Sequence, residues 1–454
     1  MSKSLFKQFK PVSSKEWKQK IQADLKGADY NQTLIWKTQE GIDVKPFYHP
    51  DEFDSLPDIS GTKASAFKVC QTIYVSDVIK SNKKALDSIN RGAESIQFII
   101  PDEKTSTDDL FKDIDLDIIP IHFKMLFISV NFIKKLNGIS SKAGIYVSQD
   151  IIGNLAKSGN WYSSNKEDHL ILDTILQNSI SLKSVLSIDA SLYQKSGANI
   201  VQQLAYSLAH VNEYLNHFEG SINTQITFHV SIGTNYFFEI AKLRALRKLW
   251  ITLAKEYNLA TDCHIFATPS SRNKTLYDYN TNLLRTTTEC MSAILGGANT
   301  ISNLSYDSLF HKTNEFGDRI ARNQLLILKH ESYLHTVDNP ADGSYYIESL
   351  TNQLCEKALT LFKDIEFNGG FFKQLFEGTV QRKIKESATF EQQQFDKEEE
   401  ILLGTNKHPN PNDKMKANLE LYPFVKTNKR KTIIEPIIEN RLSGKLEQER
   451  LETE

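Results

Sequence analysis

Short runs of β-branched and aromatic residues alternate along this chain with longer stretches in which apolar positions recur every three to four residues. The short runs cover residues 67–75, 95–100, 118–123, 144–148, 184–189, 225–232, 264–268 and 299–304, and they read as eight strands. The clearest of the helical stretches covers 236–257. There Ile240, Leu243, Leu246, Trp250 and Leu253 make one apolar face while Lys, Arg and Glu take the other. Strand followed by helix, repeated around eight strands, predicts an α/β fold of the (β/α)8 TIM-barrel kind. A doubly wound open sheet uses the same units, and the pattern alone leaves that alternative open.

Two extensions flank the repeat. Ser13-Ser14-Lys15-Glu16 has the spacing of a capping box, and Trp17, Ile21 and Leu25 then form a narrow apolar stripe that stops at Gly27. This predicts a short amphipathic helix with no core of its own. Behind the repeat, 350–384 reads as helix. From 392 to 454 the chain becomes highly charged, with turn residues at His408-Pro409-Asn410-Pro411-Asn412. The expected organisation is an N-terminal arm over 1–60, a barrel over 61–348, and a helical extension with a charged connector over 349–454.

Composition narrows the function classes. A formal charge of −2 over 454 residues gives no electrostatic reason to expect nucleic acid or an anionic membrane. The basic cluster at 426–431 has acidic residues all around it and reads as a solvated face. No segment approaches the roughly 20 apolar residues of a membrane span, and Met1-Ser2-Lys3-Ser4-Leu5-Phe6 lacks the apolar core of a signal peptide. Cys70, Cys263, Cys290 and Cys355 are scattered without a Cys-x-x-Cys pair and are expected as free thiols. A cytoplasmic location follows as the expectation. The eleven histidines show no metal-ligand spacing, and there is no Gly-rich phosphate loop, His-Glu-x-x-His or Gly-x-Ser-x-Gly. No metal site is expected.

Three dense motifs fall between Asp278 and Ile347. They read Asn282-Leu283-Leu284-Arg285-Thr286-Thr287 followed by Gly296-Gly297, then Arg319-Ile320-Ala321-Arg322-Asn323, then Asp338-Asn339-Pro340-Ala341-Asp342-Gly343-Ser344-Tyr345-Tyr346. In order and spacing they resemble the barrel half of the methylmalonyl-CoA mutase family, which interconverts methylmalonyl-CoA and succinyl-CoA with adenosylcobalamin. Leu34-Ile35-Trp36-Lys37-Thr38 and Glu40-Gly41-Ile42-Asp43-Val44-Lys45-Pro46 extend the resemblance to the arm that wraps a partner subunit in that family. On this basis Trp17, Leu25, Trp36 and Pro46 are candidate interface residues. The resemblance also implies the barrel over the open sheet.

The same resemblance marks what has changed. Aligned without gaps back from Arg285, the family's catalytic histidine falls at Phe266, which has neither a proton nor a lone pair to offer a thioester carbonyl. The family's Gly-Tyr-His-Met-Gln-Glu-Ala-Gly-Ala reads here Ala190-Ser191-Leu192-Tyr193-Gln194-Lys195-Ser196-Gly197-Ala198, so a second histidine has become Leu192. The family's Arg-Gln-Tyr signature has no clear counterpart. For the cobalamin ligand motif Asp-x-His-x-x-Gly, the near match Asp262-Cys263-His264 lies on a predicted strand without the glycine and is expected to be an ordinary core histidine. Arg441 to Glu454 resembles the connector that precedes the cobalamin domain of longer relatives.

The resemblance therefore implies the small subunit of a heterodimeric mutase, non-catalytic itself. The large subunit would handle the acyl-CoA and carry adenosylcobalamin, with none bound by this chain alone. The alternative is a stand-alone or cobalamin-protein-assisted mutase with a rearranged active site. The retained motif residues are expected to serve packing: Gly296 and Gly297 ending a helix, Arg285 and Glu289 pairing one turn apart, Arg319, Arg322 and Asn323 on one helix, and Gly343 to Tyr345 turning into the C-terminal helices.

Overall fold

The computed structural model describes residues 8–55, 61–426 and 429–454. Two short strands, β1 (Trp36–Lys37) and β2 (Asp43–Val44), pair antiparallel in the arm. Eight parallel strands follow: β3 (Lys68–Tyr74), β4 (Ser95–Ile100), β5 (Ile121–Met125), β6 (Ile145–Gln149), β7 (Ser184–Asp189), β8 (Gln225–Ile232), β9 (Cys263–Pro269) and β10 (Thr300–Ser302). They close into a barrel, with β10 pairing to β3 on one side and to β9 on the other. The predicted (β/α)8 barrel is therefore the observed fold, and the open sheet is ruled out.

All eight predicted runs are strands. The third is displaced, beginning at Ile121 instead of 118. Pro120 has no N–H to give the ladder, and Ile118 before it is exposed in a turn. Each strand feeds a helix that packs on the barrel's outer surface, and several of these helices start on a side-chain cap. Asp77, Ser129, Asp150 and Ser164 each accept from a backbone N–H of the first turn, and Asn199 and Gln202 form a reciprocal capping box. The predicted 236–257 helix is Tyr236–Glu256. Its Trp250 meets Phe228 of β8 edge to face at 5.7 Å, the kind of contact that fixes helix on sheet.

The stretch 350–384, expected as one helix, is part of three: Tyr345–Phe367, Gly370–Phe376 and Thr379–Asp396. Gly369 and Gly378 sit between them with φ of 103° and 74°, a left-handed backbone that glycine adopts without penalty and that stops a helix. The first of the three packs against both Ile200–His217 and Tyr236–Glu256. Its start is the predicted turn, with Gly343 at φ 77° and Ser344 at the cap before Tyr345.

The C-terminal stretch is less solvated than its charge implied. Lys426, Lys429, Arg430 and Lys431 are exposed as expected, while Thr427 and Asn428 lie outside the described residues. Beyond them the chain returns over the carboxyl end of the barrel. Ile437 N–H donates to Ala156 O (2.7 Å), Asn440 N–H to Lys195 O (3.1 Å) and Leu442 N–H to Arg272 O (2.9 Å). Arg441 and Glu447 form an ion pair there with both side chains buried. At the other terminus, the capping box of Ser13 and Glu16 forms, and the helix Ser14–Asp24 buries none of its residues. Trp17 stacks on Phe47 at 4.5 Å yet stays half-exposed; Trp36 and Pro46 are exposed and Leu25 is partly covered. No helix of the described residues is long and apolar enough to cross a membrane.

Candidate functional site

Barrel interiors are ordinarily filled by aliphatic layers. Here the strands turn polar and aromatic groups inward. Thr72 Oγ1 lies 2.7 Å from Ser302 Oγ and donates to Gln97 Oε1 at 3.0 Å, and Ser184 and Thr227 share a 2.7 Å hydrogen bond. One level, two residues deep on β9, contains His122, Tyr146, His264 and Phe266. His122 stacks on Tyr146 (4.7 Å), Tyr146 lies 4.6 Å from His264, and Phe266 meets His122 edge to face at 5.1 Å. His229 approaches Phe266 from β8, also at 5.1 Å.

Burial in this interior disfavours the imidazolium form. It pushes His229 down to about 4, with the Lys124 ammonium adding to the effect. His264 is pushed down to about 3 by burial and by His229, and His122 falls well below the ordinary histidine value for the same reasons. All three are neutral at pH 7. His122 Nε2 is buried with no hydrogen-bond partner.

Above this level, at the carboxyl ends of β5 to β8, lies a polar cavity of about 420 Å3. Lys124 Nζ pairs with Asp189 Oδ2 at 3.1 Å, and Ser148 Oγ shares a 2.7 Å hydrogen bond with His229 Nε2. The Ser191 hydroxyl also donates to Asp189. Burial works to raise the Asp189 carboxyl; Lys124, Lys195 and Lys157 overcome it and hold the group well below the usual carboxylate range. Asp150 binds the next elements together. It accepts from Gly153 N–H (2.7 Å), Asp189 N–H (2.8 Å), Tyr214 OH (2.8 Å) and His210 Nε2 (2.9 Å), and His210 Nδ1 in turn faces Tyr193 OH at 2.8 Å. Lys157 closes the rim against Glu439 of the returning C-terminal stretch at 2.9 Å.

A family profile described as methylmalonyl-CoA mutase matches residues 102–450, most of the chain. The chain belongs to the methylmalonyl-CoA mutase family. It is 35% identical over 442 residues to the methylmalonyl-CoA mutase small subunit of Porphyromonas gingivalis, a match covering 89% of this chain and 71% of that one. To the methylmalonyl-CoA mutase of Rhizobium meliloti it is 30% identical over 462 residues, covering 87% of this chain and 64% of the relative. The human mitochondrial methylmalonyl-CoA mutase is 28% identical over 463 residues, and this chain spans 60% of its length.

Of the two positions where mutase resemblance puts a histidine, Phe266 lies in the aromatic level with its ring against two imidazoles and is 2% exposed. Leu192 follows β7 in the short helix Ser191–Lys195 and is 1% exposed within the main apolar core. Neither reaches the polar cavity. His264, in the near match to a cobalamin-ligand motif, bonds Thr300 Oγ1 at 3.1 Å inside the barrel and packs on Tyr146. It has no open face for a corrin, so the residues at this motif do not fit the cofactor.

The retained mutase motifs are spread around the fold. Arg285 and Glu289, expected to pair with each other, do not. Arg285 donates to Thr275 Oγ1, Asn282 Oδ1 and Leu403 O, and Glu289 instead takes Lys274 and Asn273 in the interior. The helix Thr281–Leu295 ends as predicted, with Gly296 helical and Gly297 at φ 84°. Arg319, Arg322 and Asn323 share the helix Glu315–His330 but not an environment. Arg322 is buried on Gln71 Oε1 (2.8 Å), while Arg319 and Asn323 lie round the helix from it and are exposed. Sequence reasoning missed Lys124, Ser148, Asp150, Asp189 and His229. The available signal was positional: polar residues at alternate places near the carboxyl ends of predicted strands, where barrel sites are built.

Proposed function

We propose that this chain is the non-catalytic small subunit of a heterodimeric adenosylcobalamin-dependent methylmalonyl-CoA mutase. A large subunit carries the cofactor and isomerises the acyl-CoA, and this chain supports it. The observation that carries the reading is the apolar burial of Phe266 and Leu192. A group that contacts a developing radical or its thioester must offer a hydrogen bond at the mouth of the barrel. A phenyl ring wedged between imidazoles and a leucine within the core offer none. The half-exposed tryptophans of the arm support a partner chain, since Trp17 and Trp36 retain apolar surface that a second protein would cover. Retained Arg285, Glu289, Gly297 and Arg322 support a fold kept for assembly.

One observation favours a second reading, a mutase with a rearranged active site: Ser148, His229, Lys124 and Asp189 converge at the carboxyl ends of four consecutive strands. The experiment that separates the two is methylmalonyl-CoA turnover with adenosylcobalamin, using this chain, a large subunit, and the pair co-purified. Turnover that requires the large subunit, with this chain eluting in the complex, supports the supporting-subunit reading. Turnover by this chain alone, lost in Lys124→Met or His229→Phe, replaces it with the second.

A further inference from the structure

Away from the polar cavity of the mouth, two histidines meet between helices on the outside of the barrel. His169 lies in the second turn of the helix Asn165–Gln177, and His217 is the last residue of the helix Ile200–His217. Their ring centroids are 4.7 Å apart and the ring planes are tilted by 58°, so the pair is not a stack. Both rings are open to solvent in part: His169 is half-buried and the His217 side chain is 33% exposed. Packing holds each of them, since Trp161 meets His169 at 5.6 Å and Phe218 meets His217 edge-on at 4.7 Å.

The partners of the two rings decide where their lone pairs lie. His169 Nδ1 is 2.8 Å from the backbone carbonyl oxygen of Asn165, which can only accept, so Nδ1 carries the proton and Nε2 of the neutral ring keeps its lone pair. Burial holds His169 below the ordinary histidine value, which keeps that ring neutral at pH 7. His217 Nε2 is 2.7 Å from the Asp173 carboxylate, so Nε2 is the donor and Nδ1 is left as the base. Neither of these two remaining nitrogens has a hydrogen-bond partner among the described residues. A ring N–H given to a carbonyl or carboxylate, with the other nitrogen free, is the usual arrangement of a metal-ligating histidine. The spacing agrees. With bonds of about 2.0–2.1 Å, two imidazoles on one ion have centroids about 4.5 Å apart at a right angle and about 5.2 Å apart at a tetrahedral angle. The 4.7 Å found here falls between these values, whereas the other surface pair, His330 and His335, lies outside them at 5.4 Å.

We propose that His169 and His217 form a binding site for a divalent transition ion of the zinc and copper class, ligated by His169 Nε2 and His217 Nδ1. Imidazole suits such ions. Among the described residues no group of three or more His, Cys, Asp or Glu side chains is placed to hold a metal, so the protein supplies two ligands and water completes the coordination. Asp173 orients the His217 ring from behind, and Asp173 and Asp168 both place negative charge beside His169, which favours a cation. A bound ion ties the two helices together. The pair left no metal-ligand spacing in the sequence because its members stand on helices separated by a whole strand, β7. The site is independent of the mutase reading and stands or falls separately.

The test uses the full chain without an affinity tag, stripped of metal, with zinc chloride as probe. It is read by isothermal titration calorimetry, by the melting temperature and by anomalous diffraction from a soaked crystal. One Zn2+ per chain is expected at the His169–His217 pair, with a melting temperature that rises on addition and returns with EDTA. Cu2+ is expected to bind more tightly than Zn2+. His169→Gln and His217→Gln each leave a single imidazole and should lose the uptake; His217 is exposed enough that its variant keeps the metal-free melting temperature of the parent. Asp173→Asn retains both ligands but removes the carboxylate behind His217, and should weaken binding by about 10–100-fold. The proposal is overturned if the parent takes up no Zn2+, if either histidine variant binds like the parent, or if the anomalous peak lies at other residues.

Discussion

Lys274 and Glu289 form an ion pair of 2.7 Å with side chains 2% and 1% exposed, so two opposite charges stand together in the interior between the end of β9 and the helix Thr281–Leu295. Asn273 donates to the same carboxylate at 2.6 Å. Burial raises Glu289, and Lys274 works against that rise, leaving it pushed up to about 7. A pair of this kind adds little net stability while both partners remain, yet removing one strands the other.

Lys274→Met is therefore expected to destabilise the fold by about 3–5 kcal/mol, and Lys274→Met with Glu289→Leu to recover most of that loss. Chemical denaturation of the two variants against the parent checks it. Equal losses in the single and double variants would show that the charge left behind is not the cause.

The three barrel histidines set a pH dependence. Their folded values lie below the unfolded value of about 6.5, so on acidification the unfolded chain takes up protons before the folded one does. Their stabilising contribution is complete above about pH 6.5 and is lost as the pH falls toward 4 and 3, the values of His229 and His264. His229 alone accounts for about 3 kcal/mol at the full span. Glu289 acts in the opposite sense between about 4.5 and 7, and Glu40, Glu366 and Glu400, also raised by burial, act with it, while His169, lowered by burial, joins the imidazole side; the three deeply buried barrel histidines outweigh the carboxyls and leave stability rising with pH. The denaturant midpoint is expected to fall between about pH 7 and pH 5, and His264→Phe to flatten that slope. A midpoint that holds or rises on acidification contradicts the argument.

Gly297 carries a geometric prediction. With φ at 84° and an added Cβ 2.6 Å from the Thr62 side chain, Gly297→Ala meets both a left-handed backbone and a close neighbour. A loss of about 2 kcal/mol is expected, whereas Gly343→Ala, which shares positive φ but has open space, should lose only the backbone part, about 1 kcal/mol. Thermal unfolding of the pair checks the difference. Equal losses would mean that Thr62 moves aside at no cost.

The barrel was legible because strand runs such as 95–100, 184–189 and 225–232 are bounded by composition alone. The pairing of Glu289 was not. One helical turn connects it to Arg285, but the fold brings Lys274 closer from a loop, and a contact set by tertiary packing leaves no periodic trace in the chain. The polar cavity was hidden for the same reason. Lys124, Ser148, Asp189 and His229 come from four strands, and their register across the barrel joins residues 65 and 81 positions apart. The breaks at Gly369 and Gly378 could have been read, since glycine within a helical pattern is a stop signal.

The arm supplies the last prediction, which rests on the supporting-subunit reading. Trp17 is 46% and Trp36 52% exposed. Each touches one ring of the chain itself, Phe47 by stacking and Phe238 edge-on at 5.9 Å. Truncating a side chain that keeps half its surface in water should cost the isolated fold about 1 kcal/mol or less. If a large subunit covers these rings, the same truncation removes aromatic anchors from an interface, where such residues carry most of the binding energy. Trp17→Ala with Trp36→Ala is thus expected to melt like the parent but to lose co-elution with a large subunit in size-exclusion chromatography. Retained co-elution would move the interface to another face of the barrel, and a large fall in melting temperature would assign both tryptophans to the fold of this chain.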